Sequence, residues 1–131
     1  DGKAVKLPAK ARRADAWREI NRSAVKSVSL IDLCGHERYL RTTVFGLTGL
    51  VPDYGLVVVG ANMGVSRMTK EHVGIAAALK LPLLVVVTKV DIAPEKVYKT
   101  TLSQVGRMLK AARKMPYMIK RPEDADTAVE A

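Results

Sequence analysis

Six residues in two short runs have the types and spacing to do chemistry. Asp32, Gly35 and His36 lie in Val28-Ser29-Leu30-Ile31-Asp32-Leu33-Cys34-Gly35-His36-Glu37, and Thr88, Lys89 and Asp91 lie in Leu83-Leu84-Val85-Val86-Val87-Thr88-Lys89-Val90-Asp91. Both runs are apolar and end in a carboxylate, the pattern by which a buried parallel strand carries a reactive group to its carboxyl edge. A carboxylate at the place of Asp32 can hold Mg2+, with waters completing the octahedron. Gly35 lets the backbone come close enough for its N–H to meet a phosphate oxygen. Asp91 can accept two hydrogen bonds from a pair of N–H groups, and Lys89 can lay its aliphatic stem along a flat ligand. The plainer alternative is that Asp32 and Asp91 cap the helices that follow and that His36 is a surface residue.

Alternating strand and helix signals supply the frame. Ala14 to Arg22, with Trp17 and Ile20 three apart, predicts a short helix. Val28 to Ile31 predicts a first strand, and Leu40, Val44 and Leu47 at helical spacing predict a helix from Glu37 to Leu47. Gly46 and Gly49 weaken its end before Pro52 and Asp53 turn the chain. Leu56 to Ala61 predicts a second buried strand, followed by a glycine-containing loop from Asn62 to Arg67. Thr69 predicts an N-cap for a helix running to about Leu81, with Met68 and Val73 as a hydrophobic staple across it. His72 is expected to support that helix end. Pro82 ends the helix and Leu83 to Val87 predicts a third strand. Pro94 suits the first turn of a last helix, whose stripe is Tyr98, Leu102, Val105, Leu109 and Ala112. Met115 to Ile119 reads as a short extra strand.

This order implies a mostly parallel sheet with helices on both faces and ligands beyond the carboxyl ends of its strands. Asp32, the Asn62 loop and Asp91 belong to that edge. Residues 1–13 read as a flexible basic leader, 14–122 as the folded part, and 123–131 as an acidic loop-like tail.

The composition narrows the class. With 48% hydrophobic residues but only 5% aromatic, a core is built from Val, Leu, Ile, Ala and Met. One cysteine, Cys34, excludes an internal disulfide and fits a reducing, cytoplasmic setting. The apolar runs are strand-sized, far below the roughly 20 residues of a membrane helix, so no membrane is expected as a partner. No signal peptide is visible, and the chain opens at Asp1, as expected of an excised piece of a longer protein. Lysine and arginine number 22 against 13 acids, a net charge of +9. The excess falls at Lys3 to Lys26 and Arg107 to Arg121, as solvated faces or as contacts to RNA phosphates.

Asp-x-x-Gly-His followed by Thr-Lys-x-Asp, with a strand and helix between, resembles the third and fourth sequence elements of a translational GTPase such as elongation factors Tu and 1-alpha. The wider runs Asp32 to Thr43, Val44 to Thr48, Met68 to His72 and Val85 to Asp91 are similar to the branch called GTP-binding protein 1 and 2. The likeness covers roughly Trp17 to Ala112. It implies a P-loop-NTPase-like α/β fold, GTP or GDP and Mg2+ as ligands, and GTP hydrolysis linked to translation or RNA surveillance. Ribosome, tRNA or other RNA are the implied partners. It gives His36 the role of orienting the attacking water. Asp32 would hold Mg2+ through water and Gly35 would contact the γ-phosphate. Thr88, Lys89 and Asp91 would hold the guanine, whose N1–H and N2 amine donors adenine cannot offer. The family's usual residue at the first of these three is Asn; Thr88 keeps a hydroxyl but not the amide's two donors. Cys34 stands where elongation factors generally have proline.

No Gly-x-x-x-x-Gly-Lys-[Ser/Thr] phosphate loop occurs in the 131 residues. The resemblance therefore implies an incomplete sheet, lacking the first strand with its phosphate loop and the last strand. That first strand would lie between the strand ending at Asp32 and the one at Leu56 to Ala61. The isolated chain is expected to be inactive and to need the rest of the domain, or another chain, to complete the sheet. The competing reading is a degenerate GTPase-like module that binds RNA or ribosome without nucleotide.

Overall fold

The computed structural model describes residues 12–130, so all but the last residues of the proposed basic leader lie outside the described part. The chain divides into two compact units, Asp1–Asp32 and Leu33–Ala131.

In the first unit, helix α1 spans Arg13–Ser23, bracketing the Ala14 to Arg22 expectation. Ala24 N–H closes its last turn on the Ile20 carbonyl at 2.8 Å. The strand expected at Val28 to Ile31 is not formed; these residues carry no ladder and Val28 and Leu30 are exposed. An extended segment becomes a strand only by pairing its N–H and C=O groups with a neighbour. Among the described residues the one sheet contains two other strands.

The second unit opens with a 3₁₀ turn, Glu37–Tyr39, and helix α2, Leu40–Leu50. This helix runs past both glycines and stops where Val51 takes the left-handed region at φ 43°, a conformation costly for a β-branched residue. Strand β1, Gly55–Gly60, pairs in parallel with β2, Leu83–Thr88, in a register that sets Gly55 opposite Leu83 and Gly60 opposite Thr88. A parallel pair needs a crossover, and helix α3, Arg67–Ala78, supplies it. Helix α4, Glu95–Ala111, follows β2, and a seven-residue helix α5, Asp124–Glu130, ends the described chain. This is a P-loop-NTPase-like α/β fold, incomplete, with a two-stranded parallel sheet.

Burial follows the pleat. Val59, Val105 and Leu109 form the core, with Val57, Val65, Leu83, Val85 and Val87 packed on it. The alternate strand positions, Leu56, Val58, Leu84 and Val86, are exposed on the opposite face. Helices α3 and α4 flank a common groove lined by Val65, Val73, Gln104 and Met108, so both lie on the covered face.

Four expectations differ locally. The α3 cap is Ser66, whose Oγ accepts the Thr69 N–H at 3.1 Å, so the Met68–Val73 staple has no cap to span. The buried stripe of α4 is Thr101, Val105, Met108 and Leu109, with Tyr98, Leu102 and Ala112 only half-buried. Met115 to Ile119 makes no ladder; Pro116 has no N–H to donate, and Met115 is exposed. The acidic tail is helical, because Asp124 and Asp126 sit in the first turn, where carboxylates favour the positive end of the helix dipole. Asp124 Oδ2 also accepts the Lys120 and Arg121 N–H groups at 3.0 Å each, bonds that hold its carboxyl below the usual range.

Candidate functional site at the carboxyl edge of the sheet

The parallel register brings Gly60 and Thr88 side by side, so the chains leaving β1 and β2 emerge together at one edge. Ala61 N–H donates to the Thr88 carbonyl at 2.8 Å, extending the pairing one residue beyond the strand. Lys89 then adopts φ 58°, a left-handed conformation that non-glycine residues enter at a cost and that clusters at functional sites. A Cβ on Gly60 would sit 2.9 Å from Asn62 Oδ1 and 3.9 Å from Lys89 Cδ. The bare glycine thus seats the Asn62 carboxamide and the lysine stem together. Thr88 is half-buried, whereas Lys89 and Asp91 are exposed. Asp91 takes part in no hydrogen bond or ion pair among the described residues, so both carboxylate oxygens are available to a ligand.

The loop after β1 is fixed from α4. Buried Thr101 donates its hydroxyl to the Ala61 carbonyl at 3.0 Å, and Gln104 Oε1 accepts the Val65 N–H at 3.0 Å. Gly64 lies between them at φ 70°, where a Cβ would come 2.7 Å from Gln104 Oε1. Apolar periodicity misses this clamp, because Thr101 occupies a core position with a polar group; its placement four residues before Val105 was the available signal. Gly64→Ala is expected to destabilise the protein by about 2–3 kcal/mol, from left-handed strain and the displaced glutamine. Gly74→Ala, in α3 with nothing near the added carbon, should instead stabilise by about 0.5–1 kcal/mol. Urea midpoints of the two variants check the opposite signs.

The Gly35–His36 segment is anchored on α2. Thr43, buried in that helix, donates its hydroxyl to the Cys34 carbonyl at 2.6 Å. Leu33 packs over Gly46, whose missing Cβ would lie 2.5 Å from Leu33 Cδ2. Gly35 is exposed, and no atom of the described residues outside its neighbours comes within 4 Å of where its Cβ would sit, which leaves that side of the backbone approachable. His36 caps the 3₁₀ turn by accepting the Arg38 N–H on Nδ1 at 3.1 Å. With Nδ1 accepting, the neutral ring carries its proton on Nε2. Its ring meets Tyr39 edge-on at 6.2 Å, and the Arg38 guanidinium lies 5.8 Å from the same Tyr39 ring. Cys34 is exposed and unpaired in a disulfide. His72 lies inside α3, not at its end, with Nε2 buried and without a hydrogen-bond partner among the described residues.

Asp32 closes the first unit as an exposed carboxylate, not at the end of a paired strand. No group of three or more His, Cys, Asp or Glu side chains among the described residues could hold a metal by itself. A lone exposed carboxylate still fits Mg2+, which commonly takes one or two carboxylates and completes its shell with phosphates and water. No helix among the described residues is long and apolar enough to cross a membrane.

Residues 9–127 match the family described as the elongation factor Tu GTP binding domain. GTP-binding protein 1 of Xenopus laevis is 46% identical over 110 residues, covering 82% of this chain and 17% of the relative. GTP-binding protein 2 of Homo sapiens is 42% identical over 114 residues, covering 86% of this chain and 19% of the relative. The selenocysteine-specific elongation factor of Haemophilus influenzae is 39% identical over 67 residues, half of this chain and 10% of that protein. The chain thus spans under a fifth of the length of the curated relatives it matches. A match across most of the residues, together with the parallel strand pair and its two loop ends, places the chain in the elongation factor Tu GTP-binding domain family.

Proposed function

We propose that residues 14–122 are part of the GTPase domain of an elongation-factor-like protein that binds GTP with Mg2+ and hydrolyses it to GDP and phosphate. The observation that carries this reading is the carboxyl edge of the β1–β2 pair. There Gly60 seats Asn62 and the Lys89 stem, while Asp91 stands unbonded two residues further on. Thr88 and Lys89 line the place of the base, and Asp91 accepts the guanine N1 and N2 hydrogens. Adenine offers no such pair, and a polar site rejects a ligand that leaves its groups unpaired.

Asp32 would hold Mg2+, which supplies charge neutralisation at the phosphates. Gly35 N–H serves the γ-phosphate. His36 presents Nε2–H while Arg38 occupies Nδ1, so in this arrangement the ring donates to the oxygen of the attacking water and orients it. The phosphate cradle is not among these residues, so the isolated chain binds GTP poorly. A relative named as an elongation factor supports a role in translation; ribosome, tRNA or other RNA as partners and a cytoplasmic location belong to the same proposal.

Calorimetry on the full-length protein tests the reading. Mg-GTP should bind at least about 100-fold more tightly than Mg-ATP. Equal affinities would overturn it, and no binding of either nucleotide would leave the nucleotide-free RNA-binding module.

A further inference from the structure

The outward side of α4 is a ridge of cations. Lys96, Lys99, Ser103, Arg107 and Lys110 follow one another at intervals of three and four residues, which places them on one helical face. All five are exposed, opposite the buried Thr101, Val105, Met108 and Leu109. The row is roughly 21 Å long at 1.5 Å per residue. Arg107 also lines the groove between α3 and α4, where Lys70 adds a further cation. The one acid of the helix, Glu95, is held by Lys99 at 2.6 Å.

A solvated face built for helix stability alternates its signs, and this one does not. Lys96 and Lys99 form a like-charge pair three apart, as do Arg107 and Lys110, and each such pair weakens a helix by about 0.2–0.5 kcal/mol. Lys96 stands in the first turn, at the positive end of the helix dipole. An anion laid along the ridge relieves both.

The chemistry of the face selects the anion. Between the cations stand Thr100, Ser103 and Gly106, with no apolar or aromatic anchor of the kind that dominates protein interfaces, and three of the four ridge cations are lysines, which such interfaces disfavour. The helix cannot lie in a bilayer surface, because its apolar side is spent on the core. Without an aromatic platform it cannot stack unpaired bases. What remains is a phosphate backbone met through charge alone.

We propose that the α4 ridge, with Lys70 beside it, binds the phosphate backbone of structured RNA without sequence preference. The choice of RNA among polyphosphates rests on the translational reading above; the ridge itself does not depend on nucleotide.

The test uses the full-length protein and a 20-base-pair RNA duplex of arbitrary sequence, with affinity measured across a salt series. Lys96→Gln, Lys99→Gln and Lys110→Gln are combined, since glutamine keeps helix propensity while removing charge. The variant should lower the slope of log affinity against log salt by about 1 per lysine and weaken binding about 10–100-fold near physiological salt. GTP affinity should be unchanged, which separates this inference from the nucleotide reading: failed GTP binding by the native protein overturns that reading, not the ridge. RNA should also protect the three lysines from acetylation in the native protein. An unchanged salt slope, unprotected lysines, dependence on duplex sequence, or tighter binding to poly-glutamate or phosphatidylserine vesicles would each overturn the assignment to RNA.

Discussion

Asp91→Asn is expected to weaken GTP binding by about 10³-fold or more and to make xanthosine triphosphate the better ligand. The carboxylate would accept from guanine N1–H and the N2 amine. An asparagine can offer only one acceptor there, and its NH₂ meets the amine donor to donor. Xanthine carries a carbonyl in place of that amine, so the amide's donor finds an acceptor again. The magnitude follows from leaving buried polar groups unpaired, the mechanism by which such sites reject ligands by about 10⁴–10⁵. Asp91 is exposed and makes no contact that folding depends on among the described residues, so the variant should keep native stability. Competition of GTP, xanthosine triphosphate and ATP on the full-length protein decides the matter. Retained GTP preference would remove Asp91 from the base site.

His36→Ala should reduce stimulated hydrolysis by about 10²-fold or more, some 2.7 kcal/mol of transition-state stabilisation, while GTP affinity stays near normal. Alanine also removes the cap on the 3₁₀ turn, a loss of about 1 kcal/mol in stability that has to be separated from the catalytic effect. His36→Asn separates the two roles. Asparagine caps well but has no imidazole nitrogen to reach the water, so it should restore stability and not turnover. Single-turnover rates and thermal midpoints of both variants provide the measurement. If His36→Asn hydrolyses GTP at the native rate, the histidine serves only as a cap.

The two long apolar strands and the helices around them were legible because period and length speak locally. The Leu56 and Leu83 runs became β1 and β2 within a residue or so at each end. Pro94 marked the start of α4 and Trp17 with Ile20 the body of α1. What the sequence hid depends on partners distant along the chain. Val28 to Ile31 reads as a strand, but a ladder needs a neighbour that no local pattern supplies. Ser66 and Thr69 are both good caps three residues apart, and only the bond from Thr69 N–H to Ser66 Oγ decides between them. Thr101 turned the buried stripe of α4 by bonding a carbonyl 40 residues earlier in the chain, Ala61. At the candidate site, the motifs singled out Asp32, Gly35, His36, Thr88, Lys89 and Asp91 as the residues to examine. The residues packed against their loops, Thr43, Gly46 and Gly60, act through a backbone carbonyl and missing carbons, which leave little signature in a sequence.

The bare side of the strand pair has a consequence for how this segment behaves before its domain is assembled. Leu56 to Val59 and Leu83 to Val87 are uncharged, strongly β-forming runs with no proline inside them, the composition of segments that stack into cross-β fibrils. Their flanks differ. Lys80 and Pro82 precede the second run and Lys89 follows it, a gatekeeping arrangement that repels stacking at both ends. The first run has Pro52 and Asp53 ahead of it but no charge behind it until Arg67. Self-association of a nascent or proteolysed chain should therefore begin at Leu56 to Val59, and a lysine at Val58, whose side chain already faces outward, is where a single charge would best suppress it.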